Sequence, residues 1–219
     1  MNRYNDTDFS IIIPSCRHKM ATDAAAKIHQ YKCDIVDGTN ATSFSSLINQ
    51  CIIGSKTEVI IIMNDKVRAS ADDIDRMIRL LDDGFGLVSM YLFGFFAFSK
   101  ELIRHIGFFD QNFTSGGFED VDFQNRLIEA DIATYKTTEV KYIECGSSWK
   151  PCDNKSYYDR KWKEDFANNK LIRLKVEDSF YYDIGPMKNK AHELWKSHKY
   201  SILPGNNRHL MEVEVCKTI

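Results

Sequence analysis

Short, continuous apolar runs recur along the first part of the chain. The clearest covers residues 58–63, and another covers residues 9–13 and stops at Pro14. Apolar runs of this length, bounded by turn-forming residues, are typical of strands that are buried on both faces of a parallel sheet. The pattern predicts strands at residues 9–13, 33–36, 58–63, 87–90, 93–98, 133–135 and 140–143.

Between these runs, apolar residues return at helical spacing. Residues 70–82 are the best example, because Ile74, Met77, Ile78 and Leu81 fall on one face. Further helices are predicted at residues 21–31, 43–53, 100–105, 119–130 and 157–168. Strands that alternate with helices predict an α/β fold with a mostly parallel central sheet flanked by helices.

Length and charge limit the organisation and the partners of the chain. At 219 residues it suits one domain over residues 1–169, with residues 170–219 as a C-terminal extension packed on that domain. Lys and Arg total 29 against 31 Asp and Glu, so the net charge favours neither nucleic acid nor a membrane surface as a partner.

The cysteines and the N-terminus indicate the compartment. Six cysteines occur without Cys-x-x-Cys spacing, which argues against a zinc cluster or a disulfide framework and indicates reduced thiols. The N-terminal residues lack the apolar core of a signal peptide, and no run approaches the ~18 to 20 apolar residues of a membrane span. We therefore expect a soluble, cytoplasmic protein.

Acidic residues follow several of the predicted strands. Asp37 follows the second strand, Asp65 follows the third, and a glycine turn at residues 116–117 leads to Glu119 and Asp120 at the start of a predicted helix. Ligands bind beyond the carboxyl ends of strands in such sheets, so we expect these acids around one crevice. Taken alone, Glu119 and Asp120 are more simply interpreted as acidic residues that the helix dipole stabilises in the first turn of a helix.

Five segments, in their order and separation, resemble a known enzyme family. They are residues 9–15 (FSIIIPS), 60–66 (IIIMNDK), 94–101 with 106–110, 116–127 (GGFEDVDFQNRL) and 157–162 (YYDRKW). Over roughly residues 8–165 the chain is similar to the family 2 glycosyltransferases of the GT-A fold, especially the rhamnosyltransferase-like branch. The short length and the lack of a membrane anchor also suit a virus-encoded member acting in the host cytoplasm.

The resemblance implies a reaction and the residues that perform it. A sugar would pass from a UDP-sugar to a hydroxyl of a glycan or glycoprotein, with inversion. Asp120 would take the proton of the acceptor hydroxyl, and Glu119 would orient the acceptor or the loop. Asp65 would bind Mn²⁺ or Mg²⁺, and Glu144 would complete that site in place of a family histidine. Asn64 or Met63 stands where the family motif has an earlier acid, and Lys66 replaces an often acidic third member, which leaves the site poor in carboxylates.

Contacts to the substrates are implied in the same way. The nucleotide would contact Pro14, Ser15, Arg17, Asp37, Asn49 and Asn64, and the sugars would contact Trp149 and Lys161. Asp37 can accept a hydrogen bond from the uracil imide, which favours a uridine donor. For Arg17 and Asn49, a surface or packing role is equally open. We expect Asp122 to have a structural role at the helix start and Trp162 to lie in the core.

Two other classes of protein remain open. A nucleotidyltransferase would use a similar sheet, but the turn after the first strand (PSCRH, residues 14–18) lacks the glycines of a phosphate-binding loop. A non-catalytic nucleotide- or sugar-binding module would keep the fold and would need neither Asp65 nor Asp120. The presence of both acids favours an enzyme.

Overall fold

Eight strands lie in the part of the chain that the computed structural model describes, which is residues 9–143, 145 and 153–163. They are β1 (Phe9–Ser15), β2 (Cys33–Asp37), β3 (Val59–Met63), β4 (Val67–Arg68), β5 (Leu87–Tyr91), β6 (Phe95–Ser99), β7 (Thr134–Lys136) and β8 (Lys141–Tyr142). The helices are α1 (His18–Ala25), α2 (Phe44–Gly54), α3 (Ala71–Asp82), α4 (Lys100–Ile106), α5 (Glu119–Glu129) and α6 (Asn154–Lys161), with a 3₁₀ turn at Ala26–Ile28. The predicted extension, residues 170–219, lies outside the described residues.

Six strands form the central sheet, in the order β2-β1-β3-β6-β5-β7. β1 pairs in parallel with β2 and β3, β5 pairs in parallel with β7, and β6 is antiparallel to both of its neighbours. This mostly parallel sheet confirms the predicted fold class. The reversal at β6 has a local cause. Only residues 92–94 separate β5 from β6, whereas a parallel connection needs a crossover of about a dozen residues or more.

Helices cover the sheet on both faces. Along β3, Val59, Ile61 and Met63 pack in one apolar cluster, whereas Ile60 and Ile62 pack in the other, as the two-residue period of a strand requires. Apolar residues of α1 and α3 belong to the first cluster, and those of α2, α4 and α5 belong to the second. The continuous apolar run of β3 therefore reflects burial on both sides.

A small second sheet, formed by β4 and β8, lies beside the carboxyl end of β3. Val67 of β4 pairs with Tyr142 of β8, and the Ile143 N–H donates to the Lys66 carbonyl at 3.0 Å. β4 was not predicted, because two residues are too few to show a period. The pairing brings the residues after β8 to the turn that contains Asp65.

Helix boundaries follow local signals. Ser70 and Asp73 form a reciprocal capping box at the start of α3, close to the predicted start. α6 begins at Asn154, earlier than predicted, because the Asp153 carboxylate accepts the Ser156 N–H at 3.3 Å. The end predicted for this helix, near residue 168, falls outside the described residues. Within the described residues, no helix is both long enough and apolar enough to span a membrane.

Candidate active site

The buried carboxylate of Asp65 lies where β1 and β3 end side by side. Asp65 is only 2% exposed and accepts a 2.6 Å hydrogen bond from the Ser15 hydroxyl. The Arg17 guanidinium donates to both of its oxygens, from Nε at 3.0 Å and from Nη2 at 2.8 Å. β1 and β3 are parallel neighbours, so the sheet itself brings these three side chains together.

Arg17 connects Asp65 to the segment that follows β8. Its Nη1 lies 3.1 Å from the thiol sulfur of Cys145. Burial lowers the pKa of Arg17, but the hydrogen bond and the charge of Asp65 outweigh this and raise it above the ordinary value. Arg17 therefore stays charged, as a guanidinium does in proteins.

Two pockets open along this edge of the sheet, and they share Ser15 and Cys16. The outer pocket has about 290 Å³ of space and is lined by Ser15, Cys16, His18, Ile35, Asp37 and Thr39. The inner pocket has about 40 Å³ and is lined by Pro14, Ser15, Cys16, Arg17, Phe44, Leu47, Ile62, Asn64, Asp65 and Phe93. Asp37 and Asp65 thus lie on neighbouring pockets, as the strand-end argument predicts.

Asp37 is exposed in the outer pocket. Its carboxylate accepts the Thr39 N–H at 2.9 Å, and this hydrogen bond keeps the pKa of Asp37 below its usual value. The group is therefore an ionised acceptor at neutral pH, with an oxygen that a ligand can reach.

The loop before α5 has an unusual backbone. Ser115, Gly117 and Phe118 all have positive φ angles of 62°, 109° and 70°, which costs free energy for residues that carry a side chain. The Asn154 side chain holds the loop by donating to the carbonyls of Thr114 and Gly117, at 2.9 Å and 2.8 Å. Such strain is common at functional sites, and here it sets the position of the acids that follow.

The Phe44 N–H donates to the Ser115 carbonyl at 2.7 Å, and Phe44 also lines the inner pocket. The strained loop is thereby joined to the pocket wall. This contact places the start of α5 at the same edge of the sheet as Asp65.

Glu119 and Asp120 form an acidic pair in the first turn of α5. Glu119 is 7% exposed, and its Oε2 has no hydrogen-bond partner among the described residues. Burial, and then the charge of Asp120, raise the pKa of Glu119 to about 8. Asp120 is half-buried, and burial raises its pKa as well, against the Val121 N–H and the charge of Lys136, which lower it.

Lys136, at the end of β7, was missed by the sequence analysis. Its Nζ donates to Gln124 Oε1 and lies 5.8 Å from the ring centroid of Phe93, a residue of the inner pocket. Burial lowers the pKa of Lys136 to about 7, although the charge of Asp120 opposes the shift. The strand-end rule that selected Asp37 and Asp65 applies equally to Lys136, since β7 runs in the same direction as β1 and β3.

Asn49 and Lys161, two residues predicted to contact substrates, bind buried groups of the protein itself. The buried Asn49 amide donates to the Phe109 carbonyl at 2.8 Å and accepts the Phe109 N–H at 3.0 Å. Lys161 is buried with its Nζ 2.7 Å from Asp110 and 2.7 Å from Asp122. These partners satisfy the buried Asn49 amide and compensate the buried Lys161 charge, which favours a packing role, and the ligand contacts implied for both residues stay a prediction.

The remaining predicted residues divide into two groups. Pro14, Ser15, Arg17 and Asn64 line the inner pocket. Glu144 and Trp149 lie outside the described residues. Trp162 is fully buried, which confirms its predicted place in the core.

The described residues do not form the oxygen-rich set that Mn²⁺ or Mg²⁺ usually takes. Among them, no three His, Cys, Asp or Glu side chains come together as a metal site. Asp65 is the carboxylate at the predicted position, and Arg17 and Ser15 already engage both of its oxygens. As far as the structure describes it, the site does not fit the predicted metal.

Comparisons with known proteins identify the fold. No protein-family model and no curated protein sequence matches the chain. Among solved structures, the catalytic domain of Drosophila β1,4-galactosyltransferase 7 is similar at 12% identity, with a TM-score of 0.52 over 69% of this chain and 79% of that chain. A variant of that fly enzyme was crystallised with manganese, UDP-Gal and xylobiose.

A second similar structure is glucosyl-3-phosphoglycerate synthase from Mycobacterium tuberculosis, in complex with Mn²⁺, UDP and phosphoglyceric acid. It is 10% identical, with a TM-score of 0.51 over 77% of this chain and 80% of that chain. Identities this low are evidence for the fold alone. The chain has the GT-A fold of these glycosyltransferases.

Proposed function

We propose that this protein is a glycosyltransferase that moves a sugar from a UDP-sugar to a hydroxyl of a glycan or glycoprotein. The observation that carries the proposal is the acid pair of buried Glu119 and half-buried Asp120 at the same sheet edge as the Arg17–Asp65 pocket. The link between them is Phe93, which lines the pocket and lies against Lys136. A transferase needs this combination, because one region must hold an anionic donor while another removes a proton.

In this proposal the donor lies along the two pockets. The uracil occupies the outer pocket, where the exposed Asp37 carboxylate can accept its imide N–H. The diphosphate lies at the inner pocket, beside Ser15 and Arg17. The shared residues Ser15 and Cys16 allow one extended ligand to occupy both pockets.

Asp120 is the proposed base. The acceptor O–H gives its proton to the Asp120 carboxylate, and the acceptor oxygen forms the new bond to the anomeric carbon. The bond from that carbon to the diphosphate oxygen breaks, and its electron pair leaves with the diphosphate. The raised pKa of Asp120 makes this carboxylate a better proton acceptor, and Lys136 favours its ionised form. Attack opposite the leaving group gives inversion.

Glu119 has a different part in the same reaction. With a pKa of about 8, its carboxyl group is largely protonated at neutral pH. It can therefore donate a hydrogen bond to the acceptor or to Asp120, and it orients the reacting groups without taking the proton. Two neighbouring acids with separated pKa values are a frequent arrangement in active sites.

The metal predicted at Asp65 and Glu144 stays a prediction. The similar structures were crystallised with Mn²⁺ or Mg²⁺, which supports use of a divalent metal among proteins of this fold. The contacts of Asp65 do not support it for this chain, so the proposed reaction has no step that depends on a bound metal.

The alternatives explain fewer of the observations. A non-catalytic binding module would use the two pockets but would give no role to Glu119, whose buried Oε2 lacks a partner among the described residues. Leaving such an atom unpaired costs free energy, and proteins usually tolerate that cost where chemistry needs it. A nucleotidyltransferase would need a phosphate loop that the turn after β1 does not provide.

Asp120→Asn tests the proposal. A panel of UDP-sugars and glycan acceptors is assayed by UDP release and by product mass. We expect Asp120→Asn to slow transfer by roughly 10²- to 10⁴-fold, the usual loss for a general base. UDP affinity should stay within about threefold, because the substitution leaves the donor pockets intact.

Asp72→Asn is the matched control, since Asp72 is an exposed acid in the first turn of α3. It should keep full transfer. Near-full transfer by Asp120→Asn would refute the assignment and make Glu119→Gln the next variant to measure. Failure of the wild-type protein to bind UDP or any UDP-sugar in calorimetry would refute the proposed function itself.

A further inference from the structure

The charge around Asp65 is positive, although the motif that contains it was expected to bind a cation. Asp65 is followed by Lys66, whose Nζ lies 5.6 Å from the ring centroid of Tyr142, and Arg68 donates to the Asp65 carbonyl at 2.7 Å. Arg17 forms a bidentate ion pair with the Asp65 carboxylate itself. Three basic side chains thus accompany one acid, and a region with this balance attracts an anion in preference to a divalent cation.

The guanidinium of Arg17 has donors beyond those that Asp65 uses. A guanidinium has five N–H groups on three nitrogen atoms. Nε and Nη2 of Arg17 each donate to an oxygen of Asp65, and Nη1 lies 3.1 Å from the thiol sulfur of Cys145. A thiol is a weak acceptor, whereas a phosphate oxygen is charged and binds a guanidinium about twice as strongly as a neutral acceptor does. A phosphate oxygen that enters the inner pocket can therefore replace Cys145 at Nη1 while Asp65 keeps its two contacts.

We propose that Arg17, held in place by Asp65, is the cation that binds the donor diphosphate, and that this site binds it without a metal ion on Asp65. The inference rests on the proposed function and specifies how its donor is held. Asp65 is then a positioning residue. Its bidentate contact fixes the plane of the guanidinium, and Ser15 fixes the carboxylate in turn at 2.6 Å.

The arrangement suits the departure of the diphosphate. When the bond to the anomeric carbon breaks, the electron pair adds negative charge to the diphosphate oxygen. A guanidinium that is already oriented by a buried carboxylate stabilises that charge without reorganising. Lys cannot replace Arg fully in this role, because an ammonium group lacks the planar fork that contacts Asp65 and a phosphate at once.

The test measures UDP binding by calorimetry, with EDTA and separately with Mn²⁺. We expect the wild-type protein to bind UDP with affinities within about threefold of each other under the two conditions, since Arg17 supplies the charge. Arg17→Gln should weaken UDP binding by about 10- to 100-fold in EDTA, the range for lost hydrogen bonds between charged groups. Arg17→Lys should fall between the two.

Arg104→Gln is the matched control. Arg104 has a similarly exposed side chain and also pairs with carboxylates, those of Glu58 and Glu101, but Glu58 lies next to the amino end of β3, at the opposite edge of the sheet. We expect wild-type UDP affinity for this variant. Circular dichroism melts of all variants check that each one is folded.

Asp65→Asn separates positioning from metal binding. If Asp65 positions Arg17, the substitution weakens UDP binding in EDTA and in Mn²⁺ alike. A loss confined to Mn²⁺ would overturn the inference, as would wild-type affinity in Arg17→Gln or wild-type UDP binding that appears only with Mn²⁺. Each of these results leaves the proposed function standing, whereas absence of UDP binding under both conditions overturns both.

Discussion

Asp122→Asn should destabilise the fold strongly while the folded molecules keep their chemistry. The Asp122 carboxylate is fully buried and accepts hydrogen bonds from Trp162 Nε1 at 2.9 Å and from Arg126 Nε at 3.2 Å. Its Oδ1 also lies 2.7 Å from Lys161 Nζ. One side chain of α5 thereby binds two cations and joins α5 to α6. The predicted structural role of Asp122 follows from these contacts.

The size of the effect follows from what the substitution leaves behind. Asparagine keeps the shape but removes the negative charge, so Arg126 and Lys161 lose a shared counter-ion inside the protein. Removing one partner of a buried ion pair typically costs about 3–5 kcal/mol. A whole domain has a free energy of unfolding of about 5–15 kcal/mol. We therefore expect Asp122→Asn to lose about a fifth of the total stability or more.

Urea denaturation followed by circular dichroism measures this loss. Asp159→Asn is the control, because Asp159 pairs with Lys155 at 2.5 Å on α6, where the Lys155 side chain is 63% exposed. An exposed pair of this spacing contributes only about 0.3–0.5 kcal/mol. The two variants remove the same kind of charge from the two helices that the network joins. The difference between their losses of unfolding free energy therefore measures the effect of burial.

Two results would refute this reasoning. A loss below about 1 kcal/mol for Asp122→Asn would mean that the network contributes no more than a surface pair. Normal stability combined with lost transfer would mean that Asp122 takes part in the chemistry, and the assignment of Asp120 as base would then need revision. The expected pattern is the reverse of that for Asp120→Asn, which should lose transfer and keep stability.

Two further predictions concern titration and thiol access. Glu119, with a folded pKa of about 8, holds a proton that the unfolded chain releases near pH ~4.3, so stability should fall as pH rises between these values, by at most ~1.4 kcal/mol per unit. Glu119→Gln should reduce that fall in denaturation measured from pH 5 to 8, and an unchanged slope would contradict the assignment. UDP should slow alkylation of the exposed Cys16, which borders both pockets, whereas burial raises the pKa of Cys51 to about 12 and should keep it unreactive until unfolding. Peptide mass spectrometry measures both rates, and equal Cys16 rates with and without UDP would argue against the donor position.

Much of the fold could be predicted because the local sequence of several segments indicates their secondary structure. β3 is an apolar run whose five residues are all buried, and the run itself indicates a strand covered on both faces. α3 begins at a Ser70–Asp73 capping box and presents its apolar residues at helical spacing. These features depend on neighbours within a few residues, so the sequence pattern is enough to find them.

The position of the candidate site could be predicted in part. The strand-end rule led to Asp37 and Asp65, and the glycine turn led to Asp120. The same rule did not single out Lys136, because a lysine at a strand end indicates neither a metal ligand nor a carboxylate base. Asn49 and Lys161 were assigned to ligands by resemblance, yet each satisfies buried groups of the protein itself. A polar residue looks the same in a sequence whether its partner is a ligand or a distant segment.

The sequence by itself determined the alternation of buried strands and amphipathic helices, and with it the class of fold and the strand ends where ligands bind. The tertiary structure alone decided the pairings. Arg17 meets Asp65 across 48 residues of sequence, and Lys161 meets Asp110 across 51. The reason is physical. A buried charge must be compensated by a group within a few ångströms, and only the order of the strands and the packing of α5 against α6 decide which group comes that close.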